Sequence, residues 1–216
     1  MMRGGDVSEW FAGSTFDRLT MERSPAIGMW EKASSGKTVE CIDEDLLIRF
    51  YETGNKIGRI RDSYHDVRTS MMELGLMSDD GTVCMAGYYL FSRDRPLGIK
   101  LGIFDTDECL TLSENIWFQG NILECIDEAI GYIRDRMEWN MELNGSVKVN
   151  VPEVPMDAVR EIVTNSFCHM RYRTGSLYLI YLTPSIIRVA NPGGFPAGTT
   201  PETFATRRRS AMIRNL

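Results

Sequence analysis

The chain has 216 residues, 43% apolar and 25% charged, which allows one large or two small domains with a proper core. Its net charge of −6 argues against sequence-independent DNA binding by the chain as a whole, because phosphate contacts need a surplus of Lys and Arg. No apolar run approaches the roughly 18 to 20 residues of a membrane span. The opening "MMRGGDVSEW" lacks the apolar stretch of a secretory signal, so a cytoplasmic location is expected.

Residues 1 to about 44 carry Gly4, Gly5, Gly13, Pro25, Gly28 and Gly36 and read as an irregular arm or linker. Residues 45 to 92 read as a small helical unit with a β-hairpin. A helix is expected from about Asp43 to Glu52, with Leu46, Leu47, Phe50 and Tyr51 inward and Gly54-Asn55 as its stop. A second helix is expected from about Ile60 to Leu74. Asp80-Gly81 is a hairpin signal, and "TVCMAGYYLF" after it reads as a strand. Helix, helix and β element fit a winged helix or a plain α+β unit. Asp62, His65, Asp66 and Glu73 on the second helix weigh against a DNA-reading face.

"GIKLGIFDTDE" reads as a strand ending in a turn. Ile122, Leu123, Ile126, Ile130, Ile133 and Met137 follow the helical period, so a helix spans 122 to 138. "GSVKVNVP" is a short alternating strand. Residues 156 to 170 form a helix that buries Val159, Ile162, Val163 and Phe167, with Cys168 also expected in the core. Two strands follow, broken at Thr183-Pro184-Ser185 and closed by a glycine-proline loop. The expected fold class is α/β, an α+β sandwich with both long helices on one face of a mixed sheet.

The five cysteines, Cys41, Cys84, Cys109, Cys125 and Cys168, are widely spaced and odd in number, which points to reduced thiols. His65 and His169 stand at no ligand spacing from them, so zinc is not expected. Arg207, Arg208 and Arg209, with Arg214 beyond, form the one dense basic run; a solvated surface or a tail accounts for it.

Glu161, Asn165 and His169 recur at every fourth position of the 156–170 helix. Residues four apart are offset by about 40°, so the three share an arc of about 80° beside the apolar stripe. A carboxylate and an amide oxygen one turn apart can orient water and hold Mg²⁺. They can equally be a solvated flank. The paired glycines of "VANPGGFP" admit a ligand close to the backbone, or simply make a turn.

In order, "AVREIVTNSFCHMRY", a β-hairpin and "IIRVANPGGFPAGTTPETF" resemble the GHKL ATPase superfamily. They resemble more closely the RecG-like, ATP-dependent helicase-related transcriptional regulators, in which a Schlafen AlbA-type domain precedes a GHKL-like domain. The likeness runs from Pro155 to Asn215, and a weaker one covers "DDGTVCMAGYYLFSRDRP" and the opening "MMRGGDVSEWFAGSTFDR". The resemblance implies a GHKL-like domain over 93 to 216. It places the water-activating role on Glu161, Mg²⁺ on Asn165, and nucleotide contacts on Asn165, Asn191, Gly193 and Gly194. His169 and Tyr172 match the pattern as structural positions, whereas Met170 and Arg171 depart from it, and Asn191 stands where most GHKL proteins carry aspartate.

ATP and Mg²⁺ are thus the implied cofactors. The sequence stops at Leu216, before the glycine-rich lid of the superfamily, so ATP hydrolysis is an expectation for a longer protein and not for this chain. No Walker A pattern occurs, so motor activity is not expected from this chain. The expected function is a transcriptional regulator or helicase-related protein with a GHKL-like ATP-binding domain. It would form a homo-oligomer and contact DNA through regions outside this chain. A noncatalytic scaffold or dimerisation module is the alternative.

Overall fold

A computed structural model describes residues 30–144, 147–172 and 177–192. It is a mixed α/β fold with two apolar clusters. The first cluster belongs to the helical unit. A short strand β1 (Ser34–Lys37) pairs antiparallel with β2 (Val83–Cys84), so part of the expected arm is built into this unit. A single 3-10 turn, Val39–Cys41, leads to α1 (Glu44–Lys56). Asp43 caps α1 by accepting from the Leu46 N–H at 3.0 Å. Leu47 and Tyr51 of α1 are buried with Met71, Val83 and Phe91.

Three expectations for this unit need correction. The first helix does not stop at Gly54-Asn55; it runs through both. Gly54 is buried there because Ile60 folds back onto it, and an added Cβ would lie 2.4 Å from Ile60 Cδ1. The second helix, α2, is confined to Val67–Glu73, since Asp66 accepts from the Thr69 N–H at 3.0 Å and starts it there. The apolar run after Asp80-Gly81 is a strand only at β2, and Met85–Phe91 is a helix, α3. Gly87 lets α3 sit directly on the preceding turn, where a Cβ would meet the Leu76 carbonyl at 2.9 Å. The hairpin signal itself corresponds to a tight turn with Met77 bridged to Val83.

The second cluster is the sandwich. Strands β3 (Leu97–Phe104) and β4 (Leu112–Gly120) are antiparallel; β5 (Trp139–Asn144) and β6 (Val147–Pro152) form a separate two-stranded hairpin; β7 (Tyr178–Leu182) and β8 (Ile187–Ala190) follow the last helix. The main sheet has the order β4-β3-β7-β8, with β3 and β7 parallel and the other pairs antiparallel. All five residues of β7 are buried, which suits its unbroken apolar sequence in a strand flanked on both sides.

Helices α4 (Ile122–Arg136) and α5 (Met156–Cys168) pack together on one face of this sheet. Leu97, Ile99 and Leu101 of β3 and Tyr178, Ile180 and Leu182 of β7 meet Ala129, Ile133, Val159, Val163 and Phe167. Each fully buried aliphatic or aromatic side chain there contributes about 1.5 to 3 kcal/mol. Two positions of the last helix differ from expectation. Ile162 is 57% exposed and Cys168 is exposed, because both turn past the edge of the helix-sheet contact. Cys84 and Cys125 are the buried thiols; burial pushes the Cys125 thiol up to about 12. Among the described residues no helix is long and apolar enough to cross a membrane.

Candidate functional site

The C-terminal half of α5 is where the chain brings its candidate residues together. The last turn of any helix leaves carbonyl oxygens without intrahelical donors. The last intrahelical bond runs from the His169 N–H to the Asn165 carbonyl at 3.1 Å; past it the Met170 N–H, 3.3 Å from the Phe167 carbonyl, and two side chains supply donors. The Tyr172 hydroxyl donates to the Phe167 carbonyl at 2.5 Å. Asn191, which follows β8, donates through Nδ2 to the Ser166 carbonyl at 2.9 Å. The Arg171 N–H then donates to the Pro192 carbonyl at 2.7 Å, fastening the same loop a second time.

Below this clasp the helix is anchored by aromatic packing. Phe167 stacks on Tyr178, with ring centroids 4.1 Å apart, and Ser166 Oγ shares a hydrogen bond with the Tyr178 hydroxyl. Burial holds the Tyr172 and Tyr178 phenols well above their ordinary range, so both stay protonated donors. Trp30 stacks on Tyr172 at 5.3 Å and meets Tyr89 of α3 edge-on at 5.4 Å. The helical unit is thereby tied to the end of α5.

Glu161 and Asn165 lie exposed on the outer flank of α5, and the ring of His169 is exposed just past its end. Asn191 is half-buried against the turn that carries Asn165. Asn165 and Asn191 are therefore neighbours across the helix–loop contact, and Glu161 stands one turn earlier on the helix. Gly193 and Gly194 lie outside the described residues. His169 holds the helix end through its backbone, and Tyr172 does so through its side chain. Among the described residues no group of three or more His, Cys, Asp or Glu side chains could hold a metal ion. That donor set fits Mg²⁺ only in the form that ion favours with nucleotides, where phosphates and waters fill most positions and the protein adds one or two oxygens. An exposed amide oxygen, as on Asn165, is a donor of the type such an ion accepts.

Sequence reasoning missed several participants. Ser166 and Pro192 act through backbone carbonyls, which leave no trace in residue type. Trp30 comes from a stretch with no periodicity. A groove of about 560 Å³ also went unforeseen. It opens beside the N-terminal half of α5, lined by Ile103, Ile133, Val159, Ile162, Leu182 and Ile187. Glu161, Asn165 and Asn191 do not line it.

At the far end of that groove the β7–β8 turn is pinned by Asp107. Its carboxylate accepts from the hydroxyls of Thr183 and Ser185 and from the Ser185 N–H, which hold it below the usual carboxylate range. On the other side, Arg136 forks onto Glu114 at 2.6 and 2.8 Å and lies over the Tyr132 ring. Arg136 holds the Glu114 carboxyl down, and the Tyr132 hydroxyl assists.

No family model matches the chain, and no curated protein matches it. Among solved structures, the fold is similar to that of the DIP2311 protein from Corynebacterium diphtheriae, with a TM-score of 0.67 and 21% identity. The likeness covers 93% of this chain and 39% of that one, so the chain spans well under half of that protein's length. At this identity it shows a shared fold.

Proposed function

We propose that this chain is the nucleotide-binding part of a GHKL-type transcriptional regulator or helicase-related protein. Mg²⁺-ATP would lie along the exposed flank of α5. The observation that carries the reading is the meeting of Asn191 with the helix turn that holds Asn165, from positions far apart in the sequence. In this reading Asn165 supplies an oxygen to Mg²⁺ and Asn191 presents its amide oxygen to the base, one of its N–H groups being committed to Ser166. Bound Mg²⁺ would neutralise phosphate charge. Glu161, one turn away, orients a water in the form of the protein that hydrolyses ATP.

A second reading has its own observation. Asn191 serves as a donor that closes a helix end, and that use needs no ligand. The domain would then be a noncatalytic scaffold or dimerisation module of a DNA-binding regulator, with DNA contacts made elsewhere.

Thermal unfolding with and without Mg²⁺-ATP separates the two. A midpoint raised by Mg²⁺-ATP, not by ATP with chelator, and abolished in Asn165→Ala is the expected result. An unchanged midpoint in the folded chain, together with no heat on calorimetric titration, would remove the nucleotide reading and leave the scaffold.

A further inference from the structure

The groove beside the first half of α5 has an apolar floor and a negative mouth. Ile162 is 57% exposed and Ile186 39% exposed at its walls. Carboxylates of Asp105, Glu138 and Glu153 stand around it. Glu138 and Glu153 are held side by side, the Glu153 N–H donating to the Glu138 carbonyl at 3.0 Å, and neither makes an ion pair among the described residues. The cation in the lining, Arg136, is already forked onto Glu114. An occupant of this groove must therefore bring aliphatic or aromatic side chains together with positive charge.

One stretch of the chain has that composition. Residues 193–216 lie outside the described residues and hold Arg207, Arg208, Arg209 and Arg214 against a single carboxylate, Glu202. Phe204, Met212, Ile213 and Leu216 are interspersed with them. The last described residue, Pro192, follows β8, whose Ile187 and Val189 line the groove. The residues between Pro192 and Phe204 can span up to about 36 Å at 3.3 Å each, enough to reach any part of it. Tethering makes the encounter intramolecular and raises its effective concentration.

We propose that this groove docks the chain's own stretch Phe204–Leu216, with Phe204, Met212 or Leu216 on the apolar floor and the arginines against Glu138 and Glu153. Docking covers Ile162 and Ile186 and neutralises the paired carboxylates. It also sets the basic run to a task distinct from DNA contact.

Methyl NMR on the full 216-residue chain tests this. Nuclear Overhauser contacts from the δ-methyls of Ile162 and Ile186 to the Phe204 ring, the Met212 methyl or the Leu216 methyls are expected. They are lost in R207E/R208E/R209E and in E138R/E153R, and return when the two sets are combined. Absence of such contacts in the wild-type chain overturns the proposal. So does their survival in both charge-reversed variants, or a combined variant that fails to restore them while remaining folded. Contacts seen only between differently labelled copies would assign the groove to a second chain and also overturn it.

Discussion

Helices α4 and α5 pack side by side on the same sheet, yet they are held in opposite ways. The ends of α4 are closed by near neighbours. Asn121 accepts from the Glu124 N–H at 2.9 Å while Glu124 accepts from the Asn121 N–H at 3.0 Å, a reciprocal capping box. Arg134 and Arg136 sit in its last turn, where the negative end of the helix dipole favours them. The start of α5 follows Pro155 and has no side-chain cap, and its end is closed by Tyr172 and by Asn191 from beyond two strands. A helix with local caps is positioned by its own sequence. A helix with distant caps is positioned by the finished fold, and it reports on the loops that close it. That second arrangement belongs at a site where a loop and a helix must meet.

The largest break in this contrast comes from the anchor of α5. Phe167→Ala removes a fully buried ring stacked on Tyr178 and is expected to cost about 4 kcal/mol in urea unfolding. Next is Asn191→Asp. It deletes the donor to the Ser166 carbonyl and places a negative charge at the negative end of α5, for a loss of about 2 to 3 kcal/mol. Asn191→Ala leaves out the charge and is expected to cost less. If Asn191→Asp is as stable as the parent, the distant cap is not holding α5. Asn121→Ala, the matching change on α4, is expected to cost about 1 kcal/mol and to leave the α5 end untouched in amide exchange.

The smallest effect is electrostatic. The Arg136 fork lowers the Glu114 carboxyl in the folded state, so its contribution is complete above the unfolded carboxylate value of about 4.3. It is lost as pH falls through the lower folded value. The stability difference between the parent and Glu114→Gln should therefore be at its full, small value near neutrality and shrink below about pH 4.3, where the variant has the shallower slope. An unchanged slope would mean the fork adds nothing, as is common for exposed pairs.

Legibility in the sequence follows the same division. The helix at 122–136 was readable because its apolar period and caps lie within it. The strands at 178–182 and 187–190, and the break between them, were readable from a continuous apolar run and a Thr-Pro-Ser turn. Strands β4 and β5 were passed over. In β4, Leu112, Ile116 and Phe118 share the inner face, but Glu114 on that face and Trp117 on the outer one break the alternation. Ile60 and Tyr64 fit the period of the second helix and lengthen it on paper, while the Asp66 cap starts it at Val67. The flank residues Glu161, Asn165 and His169 were legible as a line, since spacing alone fixes it. Asn191 joins that line in the sequence only through the family resemblance; its hydrogen bond to Ser166 was not legible, because carbonyls are identical in every residue.

The parallel pairing of β3 with β7 has a consequence for how the chain reaches this state. Ile99 lies opposite Tyr178, and everything between them, including α4, the β5–β6 hairpin and α5, must be traversed before the pair can close. Local units such as α1 to α3 need no such wait. Contacts between residues far apart in sequence slow the search. During synthesis the inner edge of β3 stays open until β7 emerges, an apolar strand with free N–H and C=O groups. The moment of greatest aggregation risk for this protein is therefore set by a single late strand.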